Sequence, residues 1–228
     1  MVINIDKPLG WTSSDVVRKL KYTMLHAGYP RKVKIGHAGT LDPLATGVLL
    51  ICTEKDTKQV EKLQAQSKEY VFTLELGATT VSYDAEHSVS ERFEYEHITR
   101  EMVDRVVENF RGMQQQVPPI YSAKQVDGKR AYLYARDGQQ VELRAVDIEI
   151  YDIETLRFEL PYLTLRVECS KGTYVRSLAR DVGVELRSGA YLTELRRTKN
   201  GGYSVHDALD LDQAMELLSL YESDDETK

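Results

Sequence analysis

The chain has 228 residues, 42% hydrophobic and 29% charged, and a net charge of −6. That length supports one large domain or two small ones, with a core that needs neither disulfides nor metal, and the composition excludes a disordered or collagen-like chain. No apolar stretch reaches the roughly 20 residues of a membrane-spanning helix, and the N-terminal Met1-Val-Ile-Asn-Ile-Asp-Lys7 has no signal-peptide pattern, so a cytoplasmic location and no membrane partner are expected.

Residues 2–5 read as a short strand. Ser13-Ser14-Asp15 marks a helix start, with a serine able to cap free N–H groups, and Val16, Val17, Leu20 and Met24 follow at helical spacing. Residues 29–36 are a basic turn region. The unbroken apolar run at 48–53 predicts a buried strand, and 57–66 a polar helix. Residues 70–76 alternate as Tyr-Val-Phe-Thr-Leu-Glu-Leu, the pattern of a strand.

Residues 98–110 form an amphipathic helix with Met102, Val103, Val106 and Phe110 on one face. Val117-Pro-Pro-Ile120 must be extended, and residues 131–136 make one or two helical turns. Residues 147–159 and 162–170 alternate like antiparallel strands joined through Leu160-Pro161. A helix over 174–186 carries Val175, Leu178, Ala179, Val182 and Leu186; short strands follow at 191–198 and 202–205, and a last helix at 211–220. The acidic tail, 221–228, is expected to be disordered. Strands and helices mix without a regular βαβ repeat, which predicts an α+β fold with a largely antiparallel sheet flanked by helices and loops. No linker divides the chain, so 1–220 reads as a single domain, with 83–101 resembling an insertion.

Cys52 and Cys169 sit in apolar, strand-like runs, which predicts buried thiols rather than a disulfide. No Cys or His cluster has zinc-ligand spacing, so no metal is expected. The basic residues gather in three groups: Lys19 to Lys34, Lys124 to Arg136, and Arg176 to Lys199. Acids concentrate at 84–108 and in the tail. If folding brings the basic groups to one face, an acidic chain can still bind a polyanion.

The stretch Gly36-His-Ala-Gly-Thr-Leu-Asp-Pro-Leu-Ala-Thr-Gly-Val-Leu-Leu-Ile51 holds one carboxylate, Asp42, at the mouth of the buried strand. Pro43 restricts the Asp42 backbone to extended values, and Gly36, Gly39 and Gly47 permit tight turns. A carboxylate on a braced loop is a catalytic candidate; alone, Asp-Pro reads rather as an ordinary turn opener. The string resembles the catalytic motif of TruB-type pseudouridine synthases, G-H-x-G-x-L-D-P-x-A-x-G-x-L, with every fixed position filled. Further segments agree in order and spacing: Asp6-Lys-Pro-Leu-Gly-Trp-Thr-Ser13, Lys68-Glu-Tyr70, Cys169-Ser-Lys-Gly-Thr-Tyr-Val-Arg176 and Leu195-Arg-Arg-Thr-Lys-Asn-Gly201. The likeness spans residues 2–210.

The resemblance implies a pseudouridine synthase fold with a central RNA-binding cleft. It implies isomerisation of uridine to pseudouridine in RNA, at position 55 in the T-loop of tRNA, by base flipping and without a cofactor. Asp42 would act as nucleophile or base, on C1′, on C6 or on a sugar proton. Arg176 would oppose the tendency of a buried acid to hold its proton, and Tyr70 would stack on the flipped base and serve in deprotonation at C5. His37, Lys124, Lys129, Arg130 and Tyr174 are the expected RNA contacts, and the T-arm stem-loop of tRNA the expected partner. Three departures from the family pattern stand out. Lys124-Gln125 moves a lysine by one position. Ser82 and His87 replace a Thr and a Gly beside Thr80 and Asp84, whose loop-shaping hydrogen bonds are expected to survive. Residues after 220 leave no room for the C-terminal PUA domain of many members, which predicts a stand-alone, monomeric short form. The competing reading is an RNA-binding or RNA-folding module without useful catalysis.

Overall fold

The computed structural model describes residues 1–122, 124–126, 128–136, 139 and 141–220; the acidic tail lies outside them. In chain order the elements are β1 (Val2–Lys7), α1 (Ser13–His26), β2 (Ile35–Ala38), β3 (Ala45–Thr53), α2 (Val60–Gln64), β4 (Lys68–Leu76), β5 (Ala78–Thr80), β6 (Val89–Arg92), α3 (Arg100–Asn109), β7 (Gly112–Gln116), β8 (Gln125–Val126), β9 (Lys129–Arg130), α4 (Ala131–Arg136), β10 (Val146–Glu159), β11 (Tyr162–Cys169), α5 (Val175–Glu185), β12 (Ala190–Asn200), β13 (Tyr203–Ser204) and α6 (Leu211–Ser219). They form two compact units, Met1–Tyr70 with Arg196–Lys228 and Val71–Leu195, divided inside β4 and β12. The content is α+β and the strand pairing mostly antiparallel, as expected. Among the described residues no helix is long and apolar enough to cross a membrane.

In the first unit β3 is the central strand. It pairs antiparallel with β1, Val2 opposite Cys52 and Lys7 opposite Gly47, and with β2, Ile35 opposite Thr53. Residues 47–53 of β3 are all buried, which is why the run is apolar without alternation. Strand β1 alternates, with Ile3, Ile5 and Lys7 inside. Helix α1 turns Ser13, Val16, Leu20 and Met24 inward. Its cap is not one of the expected serines. Thr12 accepts from the Asp15 N–H, and the Asp15 side chain returns a bond to the Thr12 backbone, a reciprocal capping box. Ser13 is freed for another task, described below. The polar helix expected at 57–66 is split into a tight 3-10 stretch, Glu54–Gln59, and the short α2. The first part has no apolar period to hold an α-helix, and the Thr57 hydroxyl bonds the Glu54 carbonyl at 2.7 Å instead.

In the second unit the strand order is β12-β4-β11-β10-β7. The alternation read from the sequence appears as Phe72, Leu74 and Leu76 on β4 and Leu163, Leu165, Val167 and Cys169 on β11, all buried. Bulges in β10 between Ile150 and Asp152 and between Thr155 and Arg157 interrupt its alternation. Strands β2, β5, β6 and β7 were not expected. They are three to five residues long, and β6 and β7 are polar, so neither length nor period marks them. Cys52 and Cys169 are free and buried.

Gly47 shows how closely the first unit's chains approach. Its φ is +99°, and a Cβ there would lie 2.1 Å from the Arg197 carbonyl oxygen. A side chain is therefore excluded by both conformation and space. Gly47→Ala is expected to lower the unfolding free energy by about 3 kcal/mol. Gly36→Ala, where a Cβ meets nothing within 4 Å, should change it by under about 1 kcal/mol. Urea unfolding of the two variants side by side checks the difference; equal losses would contradict it.

Candidate active site

Asp42 is half-buried on the loop joining β2 to β3, and that loop is held through its main chain. The Leu41 N–H donates to the Ser13 hydroxyl at 2.9 Å, and that hydroxyl donates to the Leu41 carbonyl at 3.1 Å. The Ala45 N–H bonds the Asp42 carbonyl at 3.0 Å, and the Gly10 N–H bonds the Pro43 carbonyl at 2.9 Å. Two buried cations complete the clamp. Lys7, with no exposed surface, donates from Nζ to the carbonyls of Pro8 (3.0 Å), Trp11 (2.5 Å) and Pro43 (3.4 Å). Arg197, 1% exposed, donates from Nε to Val48 O at 2.7 Å and from Nη2 to Gly39 O at 3.0 Å. Its neighbour Arg196 makes a two-pronged pair with Asp6 at 3.1 and 2.6 Å and also donates to the Thr46 hydroxyl.

Burial pushes the Lys7 ammonium down to about 8; the Asp42 carboxylate pulls it back up and the Arg197 charge adds to the lowering. Burial and then Arg197 hold His37 below the usual histidine range, so near neutral pH its ring is uncharged. His37 lies on β2 opposite Ile51, and its Nδ1 is buried with no hydrogen-bond partner. Tyr70 is 8% exposed on β4. The strand around it is pinned: Lys68 Nζ donates to the carbonyls of Gln64 and Gln66 at 2.6 and 2.5 Å, and Glu69 accepts from Thr198 and Lys199 at 2.8 and 3.0 Å. The first unit thus carries Asp42, His37 and Tyr70.

The second unit carries Arg176, Tyr174 and Lys124. Arg176, in the first turn of α5, is 6% exposed. Its Nη1 lies 3.4 Å from the Asp84 carboxylate and 3.5 Å from the Ser82 carbonyl. Asp84 is itself buried and tightly held. Its Oδ1 accepts from the Ser82 hydroxyl at 2.6 Å and from the Glu86 N–H at 3.0 Å, and its carbonyl accepts from Thr80 at 2.7 Å. His87 Nδ1 lies 3.0 Å from the Ser82 hydroxyl, and its ring packs on Tyr121 at 4.7 Å. Thr80 and Asp84 therefore keep the loop-shaping bonds expected of them, and Ser82 supplies a hydroxyl where the family pattern has Thr. Tyr174 is the N-cap residue of α5, and its N–H donates to Gln116 Oε1 at 2.8 Å. Ser177 and Arg180 donate to the Val117 carbonyl at 2.8 and 3.3 Å, fastening the Pro118-Pro119 segment to α5. Lys124 is half-buried just before β8, and its carbonyl accepts from the Ala131 N–H at 2.7 Å. Lys129 and Arg130 form β9, paired with Val126 and Gln125. Ala123, between Ser122 and Lys124, lies outside the described residues. Among the described residues no group of three His, Cys, Asp or Glu side chains is arranged to hold a metal ion.

Lys7, Ser13, Arg197 and Asp84 were not singled out from the sequence as site residues, although the first three lie in quoted motifs. One signal was available: extending the β1 alternation from Ile3 and Ile5 by two residues puts Lys7 inside. Nothing comparable marks Arg197 among its charged neighbours, and Asp84 gains its role only through a partner 92 positions away.

A family model described as the TruB family pseudouridylate synthase N-terminal domain matches residues 27–175. The chain is 50% identical to tRNA pseudouridine synthase B of Phocaeicola vulgatus, over 97% of this chain and 94% of the relative. It is 52% identical to the same-named protein of Bacteroides fragilis, over 92% and 90%. Among solved structures it resembles a chain of a Cbf5–Nop10–Gar1 complex (TM-score 0.72, 30% identity, 94% of this chain and 53% of that one). It also resembles a chain of an H/ACA ribonucleoprotein bound to a substrate RNA containing 2′-deoxyuridine (TM-score 0.69, 29% identity, 94% and 52%). The chain spans about half the length of those solved chains.

The Lys7 environment has a measurable consequence. The unfolded chain keeps this proton up to the ordinary lysine value of 10.5, the folded protein only to about 8. Below 8 both states are protonated and the contribution is constant. Between 8 and 10.5 the unfolded state holds more protons, so this contribution makes stability rise with pH. Lys7→Met removes it. Urea unfolding should show a stability difference that is flat below pH about 8 and moves in favour of the wild type above it, by at most about 1.4 kcal/mol per pH unit. A difference that stays flat up to pH about 10 would show that burial does not depress this lysine.

Proposed function

The chain belongs to the TruB family of pseudouridylate synthases and isomerises uridine to pseudouridine in RNA; we propose that its substrate is tRNA and its target the uridine at position 55 in the T-loop. The observation that carries this is identity of about half the residues with proteins named tRNA pseudouridine synthase B, along almost the whole of both chains. The motif around Asp42 falls within the matched region. In the reaction the N1–C1′ bond breaks, the uracil turns, and C5 joins C1′. C5 loses a proton and N1 gains one, so the product is an isomer and no oxidant or reductant is consumed. The one indispensable group is a carboxylate acting on the bound nucleotide as nucleophile or base, and Asp42 takes that role. Its support is the clamp of Ser13, Lys7, Gly10 and Arg197, which fixes the main chain on both sides of it.

Base flipping brings the uridine to Asp42, because the reacting atoms are shielded in a folded loop. Tyr70 stacks on the flipped base and aids loss of the C5 proton. Arg176, buried against Asp84, is the cation that the second unit contributes to catalysis. His37, neutral at working pH, contacts the flipped nucleotides together with Tyr174, while Lys124, Lys129 and Arg130 meet the backbone of the T-arm. The enzyme works as a monomer in the cytoplasm, as one domain over residues 1–220 and without cofactor or metal.

Asp42→Asn keeps the size of the side chain but removes the base or nucleophile. It should abolish pseudouridine formation in a T-arm stem-loop while leaving RNA affinity within about twofold. Turnover near the wild-type level in that variant would sink the assignment. Tyr70 separates two contributions. Tyr70→Phe should slow the reaction with binding retained, and Tyr70→Ala should weaken both, since stacking is worth about 1–3 kcal/mol per base. Equal behaviour of the two variants, measured as single-turnover rate and RNA affinity, would remove the stacking role.

A further inference from the structure

Helix α1 carries chemistry that the Asp42 site does not use. Its inward face is Ser13, Val16, Leu20 and Met24. Asp15, Arg18, Lys19 and Tyr22 recur three and four residues apart on another face, and Trp11 lies just before the helix. They line an open depression of about 540 Å3, within the range of small-ligand sites. Tyr22 is 60% exposed and packs against His26 with the rings tilted by 37° and their centroids 3.9 Å apart. The acid in the lining is already engaged: Asp15 accepts from the Thr12 N–H and hydroxyl at 3.1 and 2.6 Å and pairs with Arg18. The lining keeps a net positive charge in a chain of net charge −6. Exposed Arg31, Lys32 and Lys34 follow shortly after the helix in sequence.

We propose that this depression is a second RNA-contact site, where one unpaired base of the substrate strand stacks on Trp11 and the adjoining phosphates pass over Lys19 and Arg18. It rests on the reading that the substrate is RNA. Aromatic rings interleaved with cations are the means by which proteins hold single strands without reading sequence, and an acidic chain that binds a polyanion must concentrate its positive charge locally. A lipid surface is a poorer match. A helix lying on a membrane turns its apolar face outward, whereas the apolar face of α1 is buried. The location also has a purpose. The Trp11 carbonyl accepts from Lys7 Nζ at 2.5 Å, the same ammonium that reaches Pro43, and the Gly10 N–H bonds the Pro43 carbonyl. The turn bearing Trp11 is thus tied to the residue after Asp42, and a base stacked there is fixed in register with the catalytic loop.

Trp11 is the only tryptophan of the 228 residues, so its emission reports on this site directly. Wild-type protein is titrated with a T-arm stem-loop RNA, and emission is followed alongside RNA retention on a filter. The same is done with a Lys19→Glu, Tyr22→Ala double variant. The expected results are quenching that saturates with the affinity measured by retention, and in the double variant loss of that quenching. KM for pseudouridine formation should then rise about tenfold with kcat unchanged, and the melting temperature should stay within the wild-type range. Pseudouridine formation by the wild type tests the RNA reading itself. With that reaction present, unchanged Trp11 emission at saturating RNA overturns the second site alone. So does a double variant with wild-type KM. Emission that shifts with protein concentration in the absence of RNA would assign the face to a second copy of the chain and overturn the proposal as well.

Discussion

Two buried cations bound to main-chain carbonyl oxygens hold the Asp42 loop, and the remaining features of the first unit can be traced to them. Placing an ammonium and a guanidinium out of water costs several kcal/mol each unless their donors are satisfied. Lys7 meets three carbonyls and Arg197 two. To reach them the chain must come unusually close, and Gly47 is the position where a Cβ would collide with the Arg197 backbone. Ser13 gives up the capping role to Thr12 and bonds both polar groups of Leu41 instead. Apart from the bonds of Lys7 to Pro8 and Trp11, these contacts fall on the main chain of the loop or of β3. Such a clamp sets the direction of the Asp42 side chain through its backbone and leaves the carboxylate's chemistry to its own surroundings.

The second unit solves a similar problem differently. Arg176 is buried against a carboxylate, Asp84, rather than against carbonyls. A buried pair is worth having only when the remaining lone pairs are occupied, and Asp84 also accepts from Ser82 and Glu86. This explains how the segment tolerates its departures from the family pattern. Ser for Thr at 82 preserves the hydroxyl that Asp84 needs. His87 in place of Gly adds a contact to that hydroxyl and packs against Tyr121. The substitutions change what surrounds the ion pair and keep the pair.

Long periodic elements were legible in the sequence because burial imposes the period: Phe72, Leu74 and Leu76 on β4, and the apolar stripe of α5, were placed correctly from alternation and 3.6-residue spacing alone. Asp42 was singled out by the length of the motif that holds it, because the local pattern alone, Asp-Pro beside a buried strand, reads as an ordinary turn. Arg197 and Asp84 were not, for a shared reason. Each is a charged residue whose burial depends on a partner distant in sequence: Gly39 for Arg197, Arg176 for Asp84. A local reading assigns charge to the surface by default. The short strands β5, β6 and β7 failed differently, since they are made by pairing rather than by their own pattern.

The lysine at position 7 gives the loop a tether whose charge depends on pH. Arg197 donates to Gly39 O at 3.0 Å. The Lys7 ammonium gives up its proton near 8. A neutral amine retains two N–H groups for three carbonyls, and the longest contact, 3.4 Å to Pro43, is the one least able to compete for them. Above that pH the Pro43 side of the loop relies on the Gly10 N–H, while the Gly39 and Leu41 side is unaltered.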